Sequence, residues 1–373
     1  MKITALENEL PSARPEDFES HAVEEARVLY GLYAAGIVRE THFRADQNEA
    51  VLIIEASSCE EAEECLSQLP SVEAGLIDFT LIPLRPYPGF ERLFAGAGRI
   101  EIVSEHEIIE RTGNQPITVD SLRQDFIQLG VQPGMTLLVH SSLSSLGWVS
   151  GGPVAIILAL EEVLGESGTL VMPTHSGDLS DPADWENPPV PTAWWETIRE
   201  TMPAFVPELT PARGIGIIPE VFRKQKGVER SEHPQVSFAA RGPEAKRIVA
   251  GHRLDYGLGE SSPLAKVYGL GGWILLLGVG HASNTSLHLA EYRAEYDGKR
   301  EIRNGAPILR AGQRVWVETT DLDLDTEDFE RIGEDFLAET GKTTCGKVGL
   351  AETQLIPQRD LVDYAVKWME HHR

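Results

Sequence analysis

Apolar positions recur at helical spacing within Glu16 to Ala35, at Val23, Ala26, Leu29, Tyr30 and Tyr33, and predict a helix there. Ile37 to Phe43 and AVLIIE at Ala50 to Glu55 read as short strands. Ser58 to Leu69 reads as a helix with Ser57 or Ser58 as its N-cap, and FTLIPL at Phe79 to Leu84 as a closing strand. The expected order is αββαβ, a small α+β sandwich with one open sheet face. The pattern then lapses. RPYPGF at Arg85 to Phe90 is turn-rich and AGAG at Ala95 to Gly98 is small and flexible, so a boundary is expected between 85 and 116. The division expected is a domain over 1–95, a linker over 96–116 and a second domain over 117–373.

Beyond the boundary, apolar strands alternate with helices. Thr118 to Leu129 is expected to be a helix stopped by Gly130, and MTLLVH at Met135 to His140 a buried strand. Pro153 to Leu164 reads as a helix entered through Gly151 and Gly152, with proline in its first turn. TLVMP (Thr169 to Pro173), VSFAA and WILLLGV read as strands, as does RVWVE at Arg314 to Glu318. Ile218 to Lys226, Glu244 to Gly251, Thr285 to Arg293, Asp325 to Ala338 and Arg359 to His371 read as helices. The fold class is therefore α/β, with a central, mostly buried sheet flanked by helices. Ligands of such sheets sit beyond the carboxyl ends of the strands.

Composition narrows the function. Lys and Arg number 33 against 58 Asp and Glu, a net charge of −25. So acidic a chain repels phosphate backbones and anionic lipid, which argues against nucleic-acid and membrane partners and for cationic small molecules. The three cysteines, Cys59, Cys65 and Cys345, form no CxxC pair and no disulfide framework, which suits a reducing cytoplasm. The N-terminal stretch has no signal-peptide core, and the apolar run Trp273 to Gly280 is too short to span a bilayer. The histidines lack metal-ligand spacing, so no metal is expected.

Four strand-to-helix junctions carry polar residues. In LLVHSSLSSLGWVSGGP a strand ends at His140, hydroxyls follow at Ser141, Ser142, Ser144 and Ser145, and paired glycines open a helix. Such a turn suits a phosphate or pyrophosphate, or serves simply as a helix cap. Thr174, His175 and Ser176 follow the second strand; Arg230, Ser231, His233 and Ser237 mark a third junction. In the fourth, a core strand feeds GVGHASNTSLHLAEY, where Thr285, His288 and Glu291 are three apart and share one side of the helix start. His288 there is placed as a general base, or as a buried structural histidine. Glu318, Asp321, Asp323 and Asp325 form an acidic run read as strand end and loop, either a solvated surface or a partner for a histidine.

Taken in order, LGVQPGMTLLVHSSLSSLGWVSGG, GTLVMPTHS, RSEHPQVSFAARGPEA, DYGLGESSPLAKVY and LLLGVGHASNTSLHLAEY resemble the aminoglycoside N(3)-acetyltransferase family over about Thr118 to Arg373. The resemblance implies a fold distinct from the GNAT acetyltransferases and acetyl transfer from acetyl-coenzyme A to an amine. It implies a coenzyme site lined by His140, Ser141, Ser142, Leu143, Gly147, Gly151 and Gly152, with His233, Ser237 and Phe238. It implies His288 as base, Thr285 near the thioester, and Glu318 (favoured) or Asp321 orienting the histidine. His175, Glu260 and Glu291 are expected near the substrate. The first 95 residues resemble a ferredoxin-like α+β domain of the YCII or muconolactone-isomerase kind, whose relatives often dimerise through the sheet, so a homodimer is expected. The acceptor implied is an aminoglycoside, with antibiotic resistance as the outcome. Another amino metabolite, or a degenerate amine- or coenzyme-binding sensor, are the rival readings.

Overall fold

The computed structural model describes residues 1–11, 13–47, 49–84, 105–186 and 188–373. The RPYPGF and AGAG segments lie outside them. The chain divides into two compact units, Met1–Ile102 and Val103–Arg373. Helix Glu105–Thr112, within the stretch expected as linker, belongs to the second unit, where the Trp148 N–H donates to Thr112 Oγ1 at 2.6 Å.

The first unit begins with a strand that the sequence pattern did not predict, β1 (Lys2–Glu9). β2 (Val38–Phe43), β3 (Ala50–Glu55) and β4 (Ile77–Pro83) complete an antiparallel sheet of order β2-β3-β1-β4, crossed by helices Ala22–Ala34 and Cys59–Leu66. The connection is therefore βαββαβ rather than αββαβ, with the unforeseen strand at the sheet's centre. Alternate residues Ile3, Ala5, Leu52 and Ile54 pack under the helices against Leu32, Ala62 and Leu66. Ser58 caps the second helix, its hydroxyl accepting from the Glu61 N–H.

The second unit is built on a seven-stranded sheet. Its strands are β5 (Thr136–Ser141), β6 (Thr169–Pro173), β7 (Glu229–Arg230), β8 (Phe238–Arg241), β9 (Trp273–Leu277), β12 (Thr344–Val348) and β13 (Ala351–Pro357). β10 (Glu301–Arg310) and β11 (Gln313–Leu322) form a separate hairpin. The sheet order is β12-β13-β9-β5-β6-β8-β7. The central trio β9-β5-β6 pairs in parallel, and its neighbours β13 and β8 run antiparallel to it. The trio is apolar because both its faces are covered. Leu137, Val139, Leu275 and Leu277 point to helices Val119–Leu129 and Gly152–Leu164. Leu138, Ile274 and Leu276 point to the opposite layer, helices Pro263–Gly269, Ser286–Arg293, Phe329–Thr340 and Gln358–His372. Each of these side chains is fully buried and contributes about 2 kcal/mol.

Several elements of the second unit depart from the pattern-based expectation, β7, β10 and helix Trp195–Thr201 among them. Helix Pro263–Gly269 and strands β12 and β13 were not foreseen. The hairpin is longer than RVWVE, its two-residue turn Ala311-Gly312 having positive φ at both positions, 50° and 76°. Consequently Asp321 lies inside β11 and not in a loop.

Candidate active site

Three of the four polar junctions follow the carboxyl ends of the parallel trio. His140 is the penultimate residue of β5, paired in register with Leu276 of β9, and is 4% exposed. His175 follows β6. β9 leads through Gly278 and Gly280 to Asn284 and Thr285, which open helix Ser286–Arg293. The buried Asn284 fixes that opening, its side-chain oxygen accepting from the Ser286 N–H at 3.2 Å.

Within this helix, His288 and Glu291 stack one turn apart. His288 Nδ1 lies 2.6 Å from Glu291 Oε2. Glu291 is wholly buried, and its other oxygen accepts from the Asp325 N–H at 3.0 Å and from Arg373 at 2.7 Å. Every lone-pair direction that matters is taken, so the carboxylate is immobile. Phe329 covers one side of the imidazole, ring centroids 5.0 Å apart. A carboxylate on Nδ1 fixes the proton there and leaves Nε2 as the basic nitrogen, the arrangement of a general base.

Around it lie groups prepared for a ligand. Thr285 Oγ1 is 3.4 Å from His140 Nε2. Burial, with His288 and His281 nearby, pushes His140 down to about 3; burial, with His140 and His288 nearby, does the same to His175. Both are neutral at physiological pH. Among the described residues, the buried Ser141 Oγ and His175 Nε2 have no hydrogen-bond partner, the condition of groups that await one. After β5, the Ser142 N–H donates to Leu277 O and the Ser145 hydroxyl to Gly278 O, binding the serine loop to β9. The loop ends at Gly147 (φ 94°) and at Gly151 (φ 87°), the N-cap of the thirteen-residue helix Gly152–Leu164. A Cβ on Gly147 would press on Thr112 and Ile117. The start of that helix offers positive potential to an anion, although the Gly152 N–H already donates to Val149 O and Pro153 has no N–H.

Several expected site residues stand elsewhere. Glu318 is 75% exposed on the hairpin and faces Arg303 across it at 3.6 Å, so it does not orient His288; Glu291 does. Glu291 in turn lies behind the imidazole, fully buried, and cannot meet a substrate. Asp321 accepts from the Tyr292 hydroxyl and, at 3.2 Å, from the Gly257 N–H, bracing the loop that precedes the helix Pro263–Gly269. His233 and Ser237 do not present free polar groups to a coenzyme. His233 Nδ1 accepts from the Gln235 and Val236 N–H groups and Nε2 donates to Leu254 O. The Ser237 hydroxyl is bound to Thr174 O and Arg230, and Phe238 is wholly buried in the core. Sequence spacing showed these residues near one another but not that the backbone had already claimed them. Glu260 pairs with Arg293 at 2.6 Å and lines a cleft of about 400 Å³ with Asp255, Tyr256, Tyr292, Lys299 and Glu301. Tyr292 is one turn beyond His288 on the same helix, so this cleft adjoins the dyad. Arg373, which holds Glu291, carried no signal in the sequence pattern.

Among the described residues, no helix is long and apolar enough to cross a membrane. The chain is similar to the prophage-derived aminoglycoside N(3')-acetyltransferase-like protein YokD of Bacillus subtilis, 48% identical over 263 residues, 70% of this chain and 95% of that one. Its crystal structure aligns with a TM-score of 0.70 over 72% of this chain and 98% of the other, at 47% identity. Aminoglycoside N(3)-acetyltransferase VII of Streptomyces paromomycinus is 39% identical over 271 residues, 68% of this chain and 92% of the relative. A structure of AAC-IIIb in binary complex with CoASH aligns with a TM-score of 0.62 at 34% identity, over 69% of this chain and 97% of that one. The sequence pattern of the aminoglycoside 3-N-acetyltransferases matches residues 138–370, and the chain belongs to that family of acyltransferases, which draw on acetyl-coenzyme A.

Proposed function

We propose that the protein acetylates an amine of an aminoglycoside-like cation, the 3-amino group of a 2-deoxystreptamine ring, by direct attack on acetyl-coenzyme A with His288 as general base. The observation that carries this is the buried carboxylate of Glu291 on His288 Nδ1, at 2.6 Å. An ammonium cannot attack; it must lose a proton. His288 Nε2 takes that proton as the nitrogen–carbon bond forms, and Glu291 stabilises the imidazolium that results. The tetrahedral intermediate then loses a second proton from nitrogen as its carbon–sulfur bond breaks, and the departing thiolate takes that proton up and leaves as the thiol, so no acyl-enzyme and no cysteine is required. Thr285, within reach of His140, donates to the developing oxyanion, joined by the unpartnered His175 Nε2. The residues fit the co-substrate: Ser141 to Gly152 offer hydroxyls, glycines and a helix N-terminus to its phosphates, with Ser141 Oγ still unbonded. The cleft beside Tyr292, where Asp255, Glu260 and Glu301 outnumber Arg253 and Lys299, would receive a cationic amine.

A second reading keeps the chemistry and changes the acceptor to another amino metabolite. It is favoured by the N-terminal unit, which lies outside the matched residues 138–370. Thiol release from acetyl-coenzyme A, measured with a panel of aminoglycosides and simpler amines, separates the two. Release confined to 2-deoxystreptamine compounds supports the first reading, and release with other amines supports the second. No release with any amine, despite coenzyme binding, would overturn both.

A further inference from the structure

Behind the His288–Glu291 pair stands one more charged group that the proposed mechanism does not use. Arg373 follows the helix Gln358–His372 and lies outside the residues matched by the family pattern. Its side chain is 12% exposed. One guanidinium nitrogen holds Glu291 Oε1 at 2.7 Å; the others bond Asp328 Oδ2 at 2.7 Å, Asp328 Oδ1 at 2.6 Å and Asp325 O at 3.0 Å. Its plane lies over Tyr296, 5.1 Å from the ring centroid. Asp328 is the N-cap of helix Phe329–Thr340, whose first residue is the Phe329 that covers His288. Three elements thus converge on one guanidinium: the helix bearing His288, the helix bearing Phe329 and the last helix.

Three rotatable bonds separate the Glu291 carboxylate from its backbone, and His288 is bonded to only one of its oxygens. Without Arg373, Oε1 is held by the Asp325 N–H alone, and the carboxylate gains freedom to turn about its last bond and carry Oε2 off the imidazole. The planar fork of arginine prevents that rotation because it fixes two carboxylates at once. We infer that Arg373 is a positioning residue of the active site, clamping Glu291 against Asp328 so that His288 keeps Nδ1 protonated and Nε2 aimed at the acceptor amine. The inference rests on the reading of His288 as base.

Four proteins decide it: wild type and the variants Arg373→Ala, Arg373→Lys and Asp328→Asn. Each is measured for kcat, for KM towards acetyl-coenzyme A, for melting temperature, and by ¹⁵N shifts of the labelled His288 ring. In Arg373→Ala, kcat is expected to fall about tenfold to a hundredfold, the cost of a small misplacement of a reacting group, with KM for acetyl-coenzyme A within about twofold. The ring signals should leave the single Nδ1–H pattern for an average of tautomers. Arg373→Lys restores part of kcat, since an ammonium reaches one carboxylate but not both. Asp328→Asn loosens the outer anchor of the clamp, so melting temperature and kcat are both expected to fall, kcat by less than in Arg373→Ala because the Arg373–Glu291 bond survives. Wild-type kcat in Arg373→Ala, a larger loss of kcat in Asp328→Asn than in Arg373→Ala, or His288 ring signals unchanged in Arg373→Ala, would overturn the inference. The ring shifts are read without turnover, so a protein in which His288 proves not to be the base is told apart from one in which Arg373 does not hold Glu291.

Discussion

At the scale of single residues, what decides the site is which polar groups the fold leaves free. His288 stood out in the sequence as a histidine one turn into a helix after an apolar strand, a position that reads either as a general base or as a buried structural histidine. Its partner did not stand out. Glu291 has the right spacing, yet spacing says nothing about burial, and the more distant Glu318 was favoured. The structure places Glu318 in solvent opposite Arg303 and Glu291 at 0% exposure on Nδ1. The difference is measurable. Glu291→Gln, which keeps shape and removes charge, should lower kcat by about a hundredfold or more, while Glu318→Gln stays within about twofold of wild type. Parallel steady-state kinetics of the two variants checks this, and a loss confined to Glu318→Gln would reverse the assignment. His233 stood out as a polar junction residue, but its two nitrogens are spent on backbone groups, Nδ1 on its own turn and Nε2 on the distant Leu254. Only coordinates show that.

At the scale of elements, the parallel trio and its helices were readable because each strand is a short, unbroken apolar run. β1 was missed because KITALENE carries only Ile3 and Ala5 on its buried face, with charges at both ends. β12 was missed for a related reason, since Thr344–Val348 is exposed along most of its length and reads as polar, whereas the largely buried β13 has only Leu355 and Ile356 as large apolar residues. The close approach of helix Phe329–Thr340 to the loop after β9 was equally invisible. It depends on Gly333, where a Cβ would stand inside the ring of His281. His281 is 2% exposed and bonded to Gln354 at 3.2 Å, so it cannot yield easily. Gly333→Ala should therefore destabilise the second unit by about 1–3 kcal/mol, as overpacking does, and should also lower activity, since Phe329 and Asp328 move with the helix. Urea unfolding reads the first effect; an unchanged midpoint would show that the helix has room to shift.

At the scale of the whole molecule, the second unit keeps four histidines neutral inside it. Burial pushes His140, His175 and His252 down to about 3 and His233 to about 4. In the unfolded chain each returns to its ordinary value near 6.5. Below that pH the unfolded chain binds more protons than the folded one, so stability falls as pH falls. The stability these groups lend is complete above about pH 6.5 and is lost progressively towards pH 4, each histidine contributing up to about 1.4 kcal/mol per pH unit. Melting temperatures from pH 8 to pH 4.5 should therefore decline below pH 6.5, and a flat profile across that range would contradict the burial described. The acidic surface, −25 overall, draws polyamines from solution and so serves the proposed acceptor without defining it. The central claim is that a histidine held by a buried carboxylate removes the proton from the attacking amine. The most direct measurement is thiol release by His288→Ala beside wild type at saturating acetyl-coenzyme A, with coenzyme affinity measured by calorimetry on both. The account predicts turnover reduced by about a hundredfold to ten-thousandfold, the range of general-base catalysis, with coenzyme affinity nearly unchanged. Equal turnover in the two proteins would contradict it, remove His288 as the base and pass that role to another group of the junction, His175 first.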